Sequence, residues 1–305
     1  MKFSVQLPTD RVEAHDDFCT AEAIAENAAL AERVGFDACY VTEHPFPPDR
    51  WLKEGGHHAL DPFVSLSVAA GATKRIRLHT NILVLAYRNP FLTAKAIASL
   101  DVVSNGRVIM GTGAGYLEAE FDALGASFDD RNDRMDEALV AIKRAWSGSS
   151  VELSGKGFTA IGNTMAPIPK QVAHPPIWVG GNSPRAIRRV VDYAQGWSPF
   201  PLPSAGSART RTMAIESVED LAEGIGKLRE YAERQGRREP IDVNFVPFGL
   251  SMNTRKVPSD GELENQFGAL EEAGVTWLSV GFPTPNRQIY QEAIERFGQT
   301  FLTSI

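Results

Sequence analysis

The sequence is poor in cysteine: only Cys19 and Cys39 occur among its 305 residues. So few cysteines cannot form the disulfide framework that holds many small secreted domains together. The first residues, MKFSVQLPTD, indicate a strand at once and lack the charged and then apolar segment of a secretion signal. From these two absences we expect a cytoplasmic protein.

Positive charge is also scarce. Lys and Arg number 31 against 38 Asp and Glu, which gives a net charge of -7, and they form no basic block. The phosphates of nucleic acid require concentrated Lys and Arg, so the composition argues against a nucleic-acid partner. No apolar stretch is long enough to cross a bilayer, and we therefore expect no membrane partner either.

The motifs of several enzyme classes are missing. The chain has no Gly-x-Ser-x-Gly elbow and no Walker loop, and Gly111, Gly113 and Gly115 lack the spacing of a dinucleotide fingerprint. His57 and His58 are adjacent, a spacing that does not direct both imidazoles to one metal ion. We therefore predict no metal site.

What the chain does contain is a regular alternation of strand and helix patterns. Its 43% hydrophobic residues can build a large core, and roughly eight strand-then-helix units follow one another. Eight units close a (β/α)8 barrel, so we predict an α/β protein of the TIM-barrel class with residues 1–305 as a single domain. One segment departs from the alternation: Val151 to Ile161 predicts a small hairpin inserted after the fourth helix.

The stretch from Ile76 to Tyr116 shows the repeating unit most clearly. A strand is followed by a helix that Asn89 caps and Pro90 opens, and Asn105-Gly106 ends this helix before the next strand. Three glycines follow that second strand at alternate positions, 111, 113 and 115. We interpret their missing side chains as room for a flat ligand against the backbone.

Catalytic residues of barrels lie just after the strands, so three strand ends carry the functional hypotheses. Glu43-His44 follows the second strand, and an imidazole there can transfer a proton or simply cap the strand end. Thr80-Asn81-Ile82 is a polar break that can form a pocket wall or pack as an ordinary strand end. Gly180 to Ser183 precedes a helix whose free amides suit a phosphate, although Gly-Gly before a helix is common.

Four stretches together resemble the luciferase-like monooxygenase family, and especially its branch that uses the deazaflavin coenzyme F420. They are AERVGFDACYVTEH, LHTNILVLAYRNPFLTAKAIASLDVVSNGRVIMGTGAGY, FDDRNDRMDEAL and PPIWVGGNSPRAI. The resemblance covers almost the whole chain and rests on the order and spacing of these pieces. It implies a (β/α)8 barrel with an insertion.

The resemblance implies a role for each strand end. His44, with Glu43 beside it, matches the histidine next to the reactive part of the cofactor ring. Asn81-Ile82 falls where the family often has a non-proline cis peptide behind that ring. The residues that match the contact with the ribityl chain are Gly113, Ala114, Gly115 and Tyr116, and those that match the phosphate cradle are Gly180, Gly181, Asn182 and Ser183. Gln195 departs from an acidic residue in many relatives, which leaves the substrate side open.

The function that the resemblance implies is hydride transfer between coenzyme F420 and a small organic substrate, with His44 supplying a proton. We expect an apolar or aromatic substrate, bordered by Trp51, His57, Tyr87, Trp197, Phe200 and Phe248 unless these residues only pack. Two alternatives stay open: a monooxygenase that uses FMN reduced by a separate reductase, and a non-catalytic flavin-binding protein. Relatives suggest a homodimer.

Overall fold

The fold is a closed barrel of eight parallel strands surrounded by helices, as predicted. The computed structural model describes residues 1–210, 212–251, 254 and 256–302. The strands are β1 (Lys2–Gln6), β2 (Ala38–Val41), β3 (Arg77–Val84), β4 (Val108–Gly113), β5 (Val151–Gly155), β6 (Phe158–Asn163), β7 (Ile177–Gly180), β8 (Gly196–Ser198), β9 (Asp242–Phe245) and β10 (Trp277–Val280). Strands β1 to β4 and β7 to β10 form the barrel in chain order, and β10 pairs with β1. Strands β5 and β6 form a separate antiparallel hairpin.

The helices pack around the barrel and also occupy several loops. They are α1 (His15–Phe18), α2 (Ala21–Val34), α3 (Asp49–Lys53), α4 (Pro62–Ala72), α5 (Pro90–Val103), α6 (Glu118–Ala123), α7 (Arg131–Trp146), α8 (Pro184–Tyr193), α9 (Ser204–Thr210), α10 (Val218–Arg234), α11 (Asp260–Ala273) and α12 (Arg287–Phe297). The sequence predicts loops or irregular chain where α3, α6 and α9 lie. These helices have 5, 6 and 7 residues, too few for apolar spacing to repeat.

Local signals place the longer helices correctly. Asn89 caps α5 by accepting hydrogen bonds from the amides of Phe91 and Leu92, and Pro90 is its first residue. Ser217 forms a capping box at the start of α10. Gly35 ends α2 with a φ of 104°, a left-handed conformation that glycine adopts without strain. Caps of this kind depend on a few adjacent residues, which is why the sequence predicts them.

Side chains alternate across the barrel strands. Val41 and its equivalents in other strands pack outward in the main core between strands and helices. The inward positions hold polar and aromatic groups: Asn244 donates a hydrogen bond to the Ser198 hydroxyl (2.8 Å) and accepts one from the Ser279 hydroxyl (2.9 Å). A small apolar cluster, Ala38, Ile109, Trp178 and Trp277, lies apart from the main core. The barrel is therefore filled by side chains, and ligands have access only at its ends.

Cys19 and Cys39 are both free thiols. Within the described ranges, no three His, Cys, Asp or Glu side chains come together as a metal site. The same part of the chain contains no helix whose length and apolarity would let it span a bilayer.

Candidate functional site

His44 lies just beyond the carboxyl end of β2, at the barrel mouth, and three rings surround its imidazole. The centroid distances are 4.4 Å to Trp51, 5.0 Å to His57 and 6.2 Å to Tyr116. Trp51 belongs to α3, and His57 follows this helix in the loop that leads to α4. Burial lowers the pKa of His57 to about 4, so His57 is neutral at pH 7 and adds no charge beside His44.

Glu120 is the partner of His44, and no motif in the sequence predicts this pairing. Its Oε2 lies 3.2 Å from Nδ1 of His44, and its Oε1 accepts a hydrogen bond from the amide of Phe46 at 3.1 Å. The side chain of Glu120 is 2% exposed. The one sequence signal is its place after a strand end, four residues beyond Tyr116, in the segment predicted as irregular.

Glu43 faces away from this pair and holds the end of β3. Its Oε2 accepts a hydrogen bond from the amide of Val84 at 2.8 Å, and its Oε1 accepts one from Nε of Arg88 at 2.9 Å. Burial raises the pKa of Glu43, and the adjacent Arg88 guanidinium opposes that shift. Because protein donors engage both oxygens, this geometry suits Glu43 to fixing the strand end rather than to exchanging protons.

The peptide bond between Asn81 and Ile82 is cis, as predicted. It lies within β3, where the pairing with β4 shifts register between Thr80 and Leu83. The Ile82 side chain lies against Gly113 of β4 and Gly180 of β7, so a Cβ added at Gly113 would clash with it and one at Gly180 would lie 3.3 Å from it. Ile82 is thus wedged between two predicted ligand-binding strand ends, and its partly buried side chain borders the mouth.

The three alternate glycines at the end of β4 are explained by packing within the protein, not by the ligand that the sequence predicts. A Cβ at Gly111 would clash with the Thr80 carbonyl and the His79 ring, and the space at Gly113 is taken by Ile82. At Gly115, with a φ of +79°, a Cβ would lie 2.7 Å from both Phe121 and Val84. The interpretation of free room for a ligand is therefore wrong: the protein itself fills this space. Contact of residues 113–116 with a ribityl chain stays a prediction.

The predicted cradle, residues 180–183, forms a turn before α8. Gly181 has a φ of +107°, and the Ser183 hydroxyl caps α8 by accepting a hydrogen bond from the Ala186 amide at 3.2 Å. Asn182 is engaged by the protein: its amide donates to the Thr212 hydroxyl (3.0 Å), and its side chain donates to the carbonyls of Phe200 (3.0 Å) and Met213 (2.8 Å). Asn182 therefore shapes the loop, and the amino terminus of α8 remains the part that suits an anion.

Ion pairs fix the start of α8 against α7. Arg185 donates hydrogen bonds to Asp133 at 2.7 Å and to Asp136 at 2.6 Å. Arg189 pairs with Asp136 as well and donates to the Asn132 carbonyl at 2.7 Å. The charged beginning of α7 thus holds the helix that follows the cradle.

The sequence places Trp197 beside the substrate and leaves the substrate side open at Gln195, but neither side chain lies at the barrel mouth. The indole nitrogen of Trp197 donates to the Gly181 carbonyl at 2.8 Å, and its ring packs outward against Gly224 of α10. Gln195 exchanges hydrogen bonds with Ile177 at the beginning of β7, the end of the barrel opposite the mouth. The expectation for Trp197 is wrong because inward and outward positions alternate, and in β8 the inward ones are Gly196 and Ser198.

Comparison with known proteins decides the family. A family model described as luciferase-like monooxygenase matches residues 1–250. The chain belongs to the luciferase-like monooxygenase family. Membership confirms the resemblance inferred from the four sequence stretches and agrees with the barrel.

Relatives of this chain include two F420-dependent dehydrogenases. The F420-dependent hydroxymycolic acid dehydrogenase of Mycobacterium tuberculosis is 30% identical over 188 residues, which cover 60% of this chain and 50% of that protein. The F420-dependent glucose-6-phosphate dehydrogenase of Amycolatopsis mediterranei is 31% identical over 165 residues, which cover 53% and 48%. The matches thus span about half the length of these relatives. In fold, the chain is similar to the monooxygenase RslO1 from Streptomyces bottropensis, with a TM-score of 0.76, 21% identity and 99% of each chain covered.

Proposed function

We propose that this protein is an oxidoreductase that transfers a hydride between coenzyme F420 and a small organic substrate. The observation that carries the proposal is His44, which lies at the barrel mouth of a luciferase-like family member and is anchored by the buried carboxylate of Glu120. The two F420-dependent relatives support the choice of cofactor over FMN. We propose that residues 1–305 act as one domain, and that it works in the cytoplasm, where free thiols persist.

The residues at the mouth fit a flat, phosphate-bearing cofactor. Ile82, held between Gly113 and Gly180, offers an apolar surface for the back of a ring. We assign Ala114, Gly115 and Tyr116 to the ribityl chain. The phosphate would lie near Gly181 and Ser183, where the amides and the dipole of α8 favour an anion. When bound, a deazaflavin supplies a ring carbon that accepts or donates the hydride.

In this proposal His44 exchanges the proton that accompanies the hydride. Oxidation of a substrate hydroxyl releases a hydride and a proton, and the imidazole accepts that proton; reduction reverses both transfers. Glu43 supports the site by fixing Val84 and Arg88 at the end of β3. Trp51 and His57 border His44 and suit an apolar or aromatic substrate.

The function is tested by titrating the cofactor-free protein with F420 and with FMN, followed by fluorescence. We expect saturable F420 binding that is at least about tenfold tighter than FMN binding, followed by oxidation of reduced F420 with an accepted substrate. Preference for FMN would replace the proposal by the monooxygenase alternative. Retention of F420 without turnover across a broad panel of alcohols and carbonyl compounds would favour a binding protein.

Replacing Ser183 by Asp is the matched test of the cradle in the same titration. Asp caps helices as well as Ser does, so the variant should melt like the wild type. Its negative charge should repel the phosphate. Because the phosphate would then lose its favourable interaction with the helix terminus, F420 binding should weaken by about tenfold or more. Ser217→Asp, which changes the cap of α10 in the same way, should bind normally. Unchanged F420 affinity in Ser183→Asp would move the phosphate elsewhere.

We further propose that two copies of the chain associate through α4 and α5. Helix α4 contains no charged residue, and α5 contains only Lys95 and the buried Asp101. Their outer faces nevertheless expose large apolar side chains: Val64 is 63%, Leu92 73% and Val103 69% exposed. Helices that are apolar on all sides are typical of buried positions. In a two-fold symmetric dimer, the α4–α5 face of each copy would cover the same face of the other copy.

The expected result is a dimer of the wild type at micromolar concentration and a monomer of the double variant Val64→Lys/Leu92→Lys. Lysine ammonium groups in an apolar interface would lose hydration without gaining a partner. Size-exclusion chromatography with light scattering measures both masses. Ile289→Lys is the control, because Ile289 is 42% exposed on α12, which is not one of the two helices of the proposed interface. A monomeric wild type would contradict this proposal.

A further inference from the structure

The hydrogen bonds of Glu120 define a chemical state of His44. Both carboxylate oxygens of Glu120 are engaged, Oε1 by the Phe46 amide and Oε2 by Nδ1 of His44. The Phe46 N–H can only donate, so Oε1 accepts. Nε2 of His44 makes no hydrogen bond within the part of the chain that the structure describes.

Burial makes one arrangement of protons the favourable one. A carboxylate that is 2% exposed requires hydrogen-bond donors, because an uncompensated charge away from water is costly. The Phe46 amide supplies one donor, and a proton on Nδ1 of His44 supplies the second. In a neutral imidazole the proton on Nδ1 leaves the lone pair on Nε2, since the two nitrogens have opposite roles.

We propose that Glu120 is a positioning residue that holds His44 as the Nδ1–H tautomer and thereby leaves Nε2 as the atom that exchanges protons. The proposal rests on the proposed function for its catalytic consequence only. Nε2 accepts the proton of a substrate hydroxyl while the hydride, with its electron pair, passes to the deazaflavin, and Nε2 returns the proton in the reverse direction. Glu120 itself keeps its charge and touches neither substrate nor cofactor.

Glu120 also connects two segments that are distant in sequence. It lies on α6, beyond β4, whereas His44 and Phe46 lie beyond β2, and 76 residues separate Glu120 from His44. The same side chain therefore fixes both the imidazole and the backbone immediately after it. A residue placed in this way sets the ring angle of His44 as well as its tautomer.

The first test needs no substrate and no cofactor. Nitrogen-15 NMR of the imidazole rings, with the His44 signals assigned by their loss in His44→Gln, reads the tautomer at pH 8.5. We expect Nδ1–H in the wild type. In Glu120→Gln the side-chain amide can donate to Nδ1 while its oxygen still accepts from Phe46, so the tautomer should change to Nε2–H. Asp122→Asn, on the exposed side of the same helix, should keep the wild-type signals.

The second test separates positioning from binding. Glu120→Gln should bind F420 within about twofold of the wild type, and its kcat should fall by about thirtyfold or more with little change in KM. An Nε2–H tautomer in the wild type, or an unchanged tautomer in Glu120→Gln, would overturn the inference even if that variant lost activity. If Glu120→Gln fails to fold, the wild-type spectrum alone still tests whether His44 is the Nδ1–H tautomer. Loss of F420 binding by the wild type would instead overturn the proposed function and leave the tautomer result intact.

Discussion

Replacing His44 by Ala is expected to lower turnover by about a hundredfold or more while the protein remains folded. A residue that transfers a proton in the rate-limiting step typically contributes two to four orders of magnitude. The barrel core does not include His44, whose neighbours are the rings of the loop region. The measurement is the steady-state rate at saturating F420, together with the affinity for F420 and the melting temperature.

Two further variants define what His44 does. His44→Gln keeps a hydrogen-bonding side chain but cannot exchange protons, so it should be as slow as His44→Ala if proton transfer is the role. His58→Ala is the control, since His58 is exposed in the neighbouring loop. Turnover near the wild-type rate in His44→Ala would remove the proton-transfer role. A variant that loses only F420 affinity would make His44 a residue that positions the ring.

His79 lies inside the barrel, and we expect it to lower the free energy of unfolding in acid. Burial lowers the pKa of His79 to about 3, and Nε2 has no hydrogen-bond partner among the described residues. Its ring centroid is 4.8 Å from that of Trp178, and its Nδ1 is 3.5 Å from the Ser4 hydroxyl. Unfolding exposes this imidazole to water, where its ordinary pKa is about 6.5.

The sign of the effect follows from proton binding. Between pH 6.5 and pH 3 the unfolded chain binds a proton at His79 that the folded chain does not bind, so the free energy of unfolding falls as the pH falls. For a shift of this size, from 6.5 to about 3, the loss at low pH approaches about 5 kcal/mol. His57, with a pKa of about 4, acts in the same direction. Asp10 opposes them, because burial raises its pKa to about 6 and the folded state binds the extra proton there.

The experiment compares urea unfolding of the wild type and of His79→Gln from pH 7.5 to pH 4.5. Glutamine cannot be protonated, so the free energy of unfolding of the variant should depend less steeply on pH, although lost packing lowers its stability at pH 7.5. His15→Gln, at an exposed position on α1, should keep the wild-type slope. Equal slopes in all three proteins would show that His79 is not buried in its neutral form.

The sequence by itself determines the barrel and the places where its chemistry could lie. The alternation of strands and helices, the caps at Asn89 and Ser183 and the strand ends at His44 and Asn81-Ile82 are all readable from residues that are close together in the chain. Such signals are local. A helix cap is recognised from the residues of one helical turn, and a strand end is recognised where the spacing of apolar residues changes. The cis peptide is also predicted from a local signal, the match of a short stretch to a family.

Only the tertiary structure decides which side chains meet at that end of the barrel. Glu120 reaches His44 because β2 and β4 end at the same rim, and Glu43 turns instead to Arg88. Gly113 leaves room for Ile82 of the neighbouring strand. Trp197 points outward to α10 because Gly196 and Ser198 occupy the inward positions of β8. These contacts join residues that are far apart in the sequence, and barrel closure and strand register fix them. No periodicity within a single segment carries that information.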